Sequence, residues 1–176
     1  MFKRFSTQSL IIIAGLAGLG IVIKPIVSPL SKMISMPLVV PGGSFAGGLY
    51  MMWLVLAVVI VKRTGSGTLY GFLQALLVMV LGLKGNQGMF SIVSYTLPGV
   101  LVDLVFWLLK RPEKMLTHML LCSIANMTGA LMVAIFFFHH PLPFIAIILG
   151  MSFVSGLLGG WLSHSIYKTL ERYELI

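Results

Sequence analysis

The chain has 176 residues, of which 59% are apolar and 9% charged, with a mean hydropathy of +1.06. A soluble globular domain carries about 25% charged residues, so the composition excludes one. The low charge also excludes intrinsic disorder, and the single Cys122 excludes a disulfide framework. A net charge of +8 would raise the question of nucleic acid in a soluble protein. Here the bases come in ones and twos between apolar runs, which is the pattern of topology signals and not of a phosphate-tracking face.

At about 20 apolar residues per bilayer crossing, the sequence predicts an all-α integral membrane bundle of six transmembrane helices. It forms a single transmembrane domain over residues 1–176, with spans near 8–30, 38–61, 66–83, 89–109, 115–138 and 143–167. With the N-terminus cytoplasmic, Lys3, Arg4, Lys62, Arg63, Lys110, Arg111, Lys114, Lys168 and Arg172 lie inside, and only Lys24, Lys32 and Lys84 lie outside. That asymmetry follows the positive-inside rule and puts both termini in the cytoplasm. Met1-Phe2-Lys3-Arg4 and the apolar run after it resemble a signal peptide, but Lys24-Pro25 follows without a small-residue cleavage site, so the segment is expected to be retained.

In chain order, the first span carries Ala14 and Gly18 at small-xxx-small spacing, a surface that lets helices approach closely. Lys24, at the outer end of that span, is expected to snorkel. Residues 36–48 contain two prolines and four glycines, and such backbone must lie against protein or line a cavity. Tyr50 and Trp53 follow in the outer half of the second span, and Tyr95 lies at a similar depth in the fourth. They form either a headgroup belt or a stacking surface for a planar ligand. Gln74, beside Gly71 and Ala75, reads as helix packing.

The outer loop Leu83-Lys84-Gly85-Asn86-Gln87-Gly88 offers a cation and two amides, making Lys84, Asn86 and Gln87 substrate-binding candidates. Asp103 is the only acid expected within a span. It is either a functional carboxylate or a group that caps a neighbouring helix or pairs with a lysine near Lys110. Asn126, near the centre of the fifth span, is expected to orient a polar ligand, with interhelical bonding as the alternative. Ser152, Ser155, Gly156, Gly159, Gly160 and Ser163 line the last span and serve either bundle packing or a partner.

Adjacent His139 and His140 point about 100° apart on a helix, and the twelve methionines scatter, so no metal is expected. No phosphate-cradling G-x-x-x-x-G-K-[ST] loop is present. No serine shares a depth with a histidine, so no catalytic residue and no cofactor are expected. The competing readings are an intramembrane enzyme acting on a lipid-linked substrate and a membrane assembly protein.

Short spans, a small-residue first helix, a Pro/Gly-rich start to the second and no ATPase motif resemble the substrate-binding S components of energy-coupling factor (ECF) transporters. Val61-Lys62-Arg63-Thr64-Gly65-Ser66-Gly67-Thr68-Leu69, Gln74-Ala75-Leu76-Leu77 and Leu81-Gly82-Leu83-Lys84-Gly85-Asn86-Gln87-Gly88 are similar to the thiamine-regulated hydroxymethylpyrimidine permease branch. The acidic residue common in that branch's third span is absent. The resemblance implies a multi-pass protein of the bacterial plasma membrane that captures a vitamin-like small molecule outside. It would dock through Ala14 and Gly18 onto a membrane coupling subunit driven by two ATPase subunits, and deliver the ligand by reorienting as a body. No nucleic acid is expected as a partner.

Overall fold

A computed structural model describes residues 5–38, 42–83, 89–109, 114–138 and 141–175, all helices and short connections. Among these residues the α-helices are α1 (Thr7–Val22), α2 (Lys24–Ser35), α3 (Gly43–Val61), α4 (Ser66–Val80), α5 (Phe90–Leu109), α6 (Met115–Val133) and α7 (Leu142–Arg172). A 3-10 turn, Met36–Leu38, follows α2, and a π-helical turn, Ala134–Phe138, continues α6.

Among the described residues four helices, α3, α5, α6 and α7, are long and apolar enough to cross a membrane, and a fifth crossing is available if α1 and α2 act together. The expected six regular spans are thus not all present as such. The first breaks between Val22 and Lys24 with a bend of 40°. Pro25 opens α2, and its ring lacks the N–H that would have continued the α1 ladder. The third, α4, has only 15 residues. The expected irregular segment over 36–48 is also shorter than its composition suggested. α3 begins at Gly43, so Gly43, Gly47 and Gly48 are helical, while residues 39–41 lie outside the described part.

The central helix is α3, whose Leu54 to Val59 are buried on every face, and α1, α4, α6 and α7 pack around it. Small residues set these distances. Gly48 of α3 sits against Ser155 and Gly159 of α7, where a Cβ on either glycine would run into backbone. Ser155 seals the crossing: its hydroxyl accepts from the Gly48 N–H (3.1 Å) and donates to the Phe45 carbonyl (2.5 Å). Gly156 and Gly160 similarly admit Ser123 and Met119 of α6. The small residues of the last span therefore serve packing within the bundle, one of the two uses left open by the sequence.

Between α4 and α5 the same device recurs, with Gly67 against Gly99 and Gly71 against Tyr95. The α3–α4 link turns on left-handed Lys62 (φ 52°) and Gly65 (φ 90°). These connections fold the chain back on itself, bringing the C-terminal halves of α4 and α6 to the same end as the N-terminal halves of α3 and α5, beside α2.

Candidate functional site

At that end the helices enclose a cavity of about 740 Å³. Its walls come from Lys24, Ser28, Ser31 and Lys32 on α2, Gly47, Tyr50 and Met51 on α3, Gln74 and Val78 on α4, Ser94 and Tyr95 on α5, and Asn126, Gly129 and Ala130 on α6. The volume is that of a pocket for a small organic molecule.

The bend between α1 and α2 directs Lys24 inward. Its Nζ donates to the Tyr95 hydroxyl (2.8 Å), lies 4.0 Å from the centroid of that ring, and is 5.8 Å from the Tyr50 ring. An ammonium held among aromatic rings is stabilised by their negative faces. The expected snorkelling of Lys24 to the surface is therefore corrected: the bend turns the side chain toward the bundle, where Tyr95 receives it.

Gln74 anchors another wall. Its Nε2 donates to the Tyr70 hydroxyl (3.2 Å), which in turn donates to the Leu16 carbonyl (3.5 Å). Gly20 makes the space for this pair, because a Cβ there would stand 2.5 Å from the Tyr70 oxygen and 2.6 Å from the Gln74 nitrogen. The reading of Gln74 as packing alone missed its place on the cavity. The one available signal was that a buried amide on α4 presents more donors and acceptors than a single neighbour satisfies.

Asn126 is buried, and its Nδ2 donates to the Ser152 carbonyl (2.9 Å). That bond fixes the amide plane and sets Oδ1 against Gly47 at the cavity wall. A serine clip closes the rim, with the Ser31 hydroxyl donating to the Gly42 carbonyl and joining α2 to the start of α3.

The structure thus brings Tyr50, Tyr95 and Asn126 together around one space. Lys84, Asn86 and Gln87 lie outside the described residues. Asp103 does not reach the cavity. Its Oδ1 accepts from the Gly67 N–H (2.8 Å), and its Oδ2 accepts from the Thr68 N–H (2.8 Å) and hydroxyl (2.7 Å). Of its alternative readings, this geometry is the cap on a neighbouring helix: a carboxylate from α5 satisfies free amides at the α4 N-terminus and complements its dipole.

One sequence inference about catalysis needs correction. His118 Nδ1 and Ser163 Oγ do share a depth, hydrogen-bonded at 3.0 Å between α6 and α7. Both are fully buried at 0% exposure, however, and neither lines the cavity, so the pair joins helices without access for a substrate. Among the described residues no group of three or more His, Cys, Asp or Glu is arranged to hold a metal ion.

The expected docking residues lie on the outer side of α1. Ile13, Ala17, Gly20 and Ile21 are buried against the bundle, whereas Ala14 is exposed, and a Cβ on Gly15 or Gly18 would meet nothing within 4 Å. Below them, an apolar groove runs past Ile11, Gly15, Leu16, Leu19, Ile60 and Leu170.

Fold and site define an α-helical, multi-pass membrane protein with a largely apolar chamber, carrying a few polar side chains, at one end. Residues 8–129 match the family described as ABC-type cobalt transport system, permease component, and the chain belongs to that family. It is accordingly the membrane component of an ABC-type transporter, working in a lipid bilayer with ATPase partners. No curated protein and no solved structure matches the sequence.

Proposed function

We propose that this chain is the substrate-capture (S) subunit of an ECF-type importer, and that its chamber opens to the outside and takes a small planar organic molecule, neutral or weakly anionic. The observation that carries this reading is the composition of the cavity wall. Two ammonium groups (Lys24, Lys32), two phenols (Tyr50, Tyr95) and two amides (Gln74, Asn126) face a space of about 740 Å³. Aromatic faces stack on a flat ring, amides orient its heteroatoms, and the lysines complement an anionic substituent.

The family description names cobalt, and the cargo it implies is a dication. A bare cobalt ion suits imidazole, carboxylate or thiolate ligands. None of the described wall residues carries such a group, and the two lysines repel a dication. What supports an organic cargo is this mismatch together with the sequence resemblance to the hydroxymethylpyrimidine permease branch, which makes a vitamin precursor of pyrimidine type the first candidate.

Delivery follows from docking. The outward small-residue face of α1, with Ala14 and Gly18, supports close contact with a membrane coupling subunit that two ATPases drive. Both termini are cytoplasmic in this reading, which places Lys62, Arg63, Lys168 and Arg172 inside.

The experiment is purification in mild detergent followed by mass spectrometry of the small molecule released on denaturation. A stoichiometric heteroaromatic compound that rebinds the emptied protein is the expected result. Stoichiometric cobalt with no organic molecule would overturn it.

A further inference from the structure

The helix α2 has its polarity reversed relative to a soluble surface helix. Lys24, Ser28, Ser31 and Ser35 recur at intervals of four, three and four residues, and Ser31 and Ser35 are buried. Lys24, Ser28 and Ser31 line the cavity. On the opposite side, Ile26, Leu30 and Met33 are 66%, 61% and 74% exposed. In water three large apolar side chains on one stripe would be a liability; against hydrocarbon they are the stable arrangement.

Two further observations identify what covers this stripe. It continues Leu19 and Val22 of α1 across the bend at helical spacing, and both of these are also exposed. In addition, α1 has 16 residues. At ~1.5 Å per residue it spans roughly 24 Å, short of the ~30 Å hydrocarbon core, so the crossing is completed only as the chain enters α2.

We propose that α2 lies in the membrane boundary on the cavity's side, with Ile26, Leu30 and Met33 in lipid, so that the bilayer itself backs the chamber wall that carries Lys24 and Ser28. The inference stands independently of which molecule the chamber holds and of which side of the membrane it faces. Its consequence is that the position of the cavity's lysine-bearing wall depends on the lipid surface as well as on the few protein contacts of α2, among them the Ser31 clip to Gly42.

The test is a nitroxide scan. Cys122 is the sole cysteine and is buried, so single cysteines can be introduced through residues 24–35 in a Cys122→Ala background. Each is spin-labelled in the full chain in lipid vesicles, and collision rates with oxygen and with a water-soluble nickel chelate are compared. Oxygen maxima are expected at Ile26→Cys, Leu30→Cys and Met33→Cys, with minima at Ser28→Cys and Ser31→Cys, in a period of about 3.6 residues. The period remains readable if one variant fails to insert. Nickel-chelate maxima at Ile26, Leu30 and Met33 would place the stripe in water and overturn the proposal. Protection from both reagents there would show a covering protein surface, and relief of that protection on dilution with unlabelled chain would identify it as a second copy; either result also overturns it.

Discussion

Lys24 and Tyr95 meet across the chamber through a 2.8 Å hydrogen bond in which the ammonium donates to the phenol oxygen. The bond joins the start of α2 to the first half of α5, so one wall of the cavity is tied to another by a pair of side chains that line it.

Replacing this pair should weaken ligand binding unequally. Tyr95→Phe keeps the ring and loses the hydroxyl, a cost of about 1 kcal/mol, or roughly fivefold in affinity. Lys24→Met removes the charge as well, and for a ligand with an anionic group the loss should be on the order of ten- to a hundredfold. Titration of the copurified compound onto emptied protein measures both. Parent-like affinity in the two variants would remove the pair from the site.

Asn126→Ala should also lower affinity, by about 1–3 kcal/mol, since it deletes both the cavity-wall amide and the bond to the Ser152 carbonyl. Ser152→Ala leaves both the amide and the carbonyl in place, so it should bind nearly as the parent does in the same titration.

Asp103→Asn should act on stability and leave the chamber alone. The carboxylate accepts three hydrogen bonds at the α4 N-terminus, and an amide can accept through only one of its two heavy atoms while opposing a donor with the other. A loss of about 2–4 kcal/mol follows from an unsatisfied buried cap, read as a lower thermal transition in detergent. Thr68→Ala, which removes one of the three bonds, should cost less. Ligand affinity measured well below the transition should stay within twofold of the parent, and a larger change in Asp103→Asn would return that residue to the binding site.

The two small-residue surfaces should respond in opposite ways to bulk. Gly159→Leu forces a side chain into the Gly48 backbone and should prevent stable insertion. The Ala14→Leu, Gly18→Leu double variant projects into open space, so it should insert and bind ligand normally while failing to copurify with the coupling subunit and ATPases. Retained copurification would exclude this face of α1 as the dock.

For orientation, cysteines at Thr64 and Met89 in the Cys122→Ala background should label from opposite sides of the membrane, with Met89→Cys reached from outside the cell. The reverse result would invert the topology and put the chamber on the cytoplasmic side.

Much of the helical pattern was legible because hydropathy and charge punctuate it: α3, α5, α6 and α7 end close to where basic pairs, glycine and proline predict. Tyr95 and Asn126 were singled out for a related reason, since polar groups within apolar runs are few and their depth can be counted. Lys24 was not, because its direction is set by a 40° bend, and Lys-Pro at the end of a span is equally compatible with a side chain reaching outward. Gln74 was missed because flanking small residues suggest close packing whether or not a cavity adjoins it. The stripes of α1 and α7 look alike in sequence but lie differently, since α7 packs its small residues against α3 and α6 while Ala14 and Gly18 face no neighbouring helix among the described residues.

The shortness of α4 has a mechanical consequence for the surrounding membrane. Its 15 residues reach roughly 22 Å, and α1 beside it is scarcely longer, whereas α7 extends over 31 residues. A bilayer with a hydrocarbon thickness of ~30 Å therefore exceeds α4 by roughly 8 Å, whereas the length of α7 includes a charged end with Lys168, Glu171 and Arg172 that belongs outside the hydrocarbon. Lipids beside α4 must thin to meet it, so the membrane around this subunit is strained on one flank and relaxed on the others.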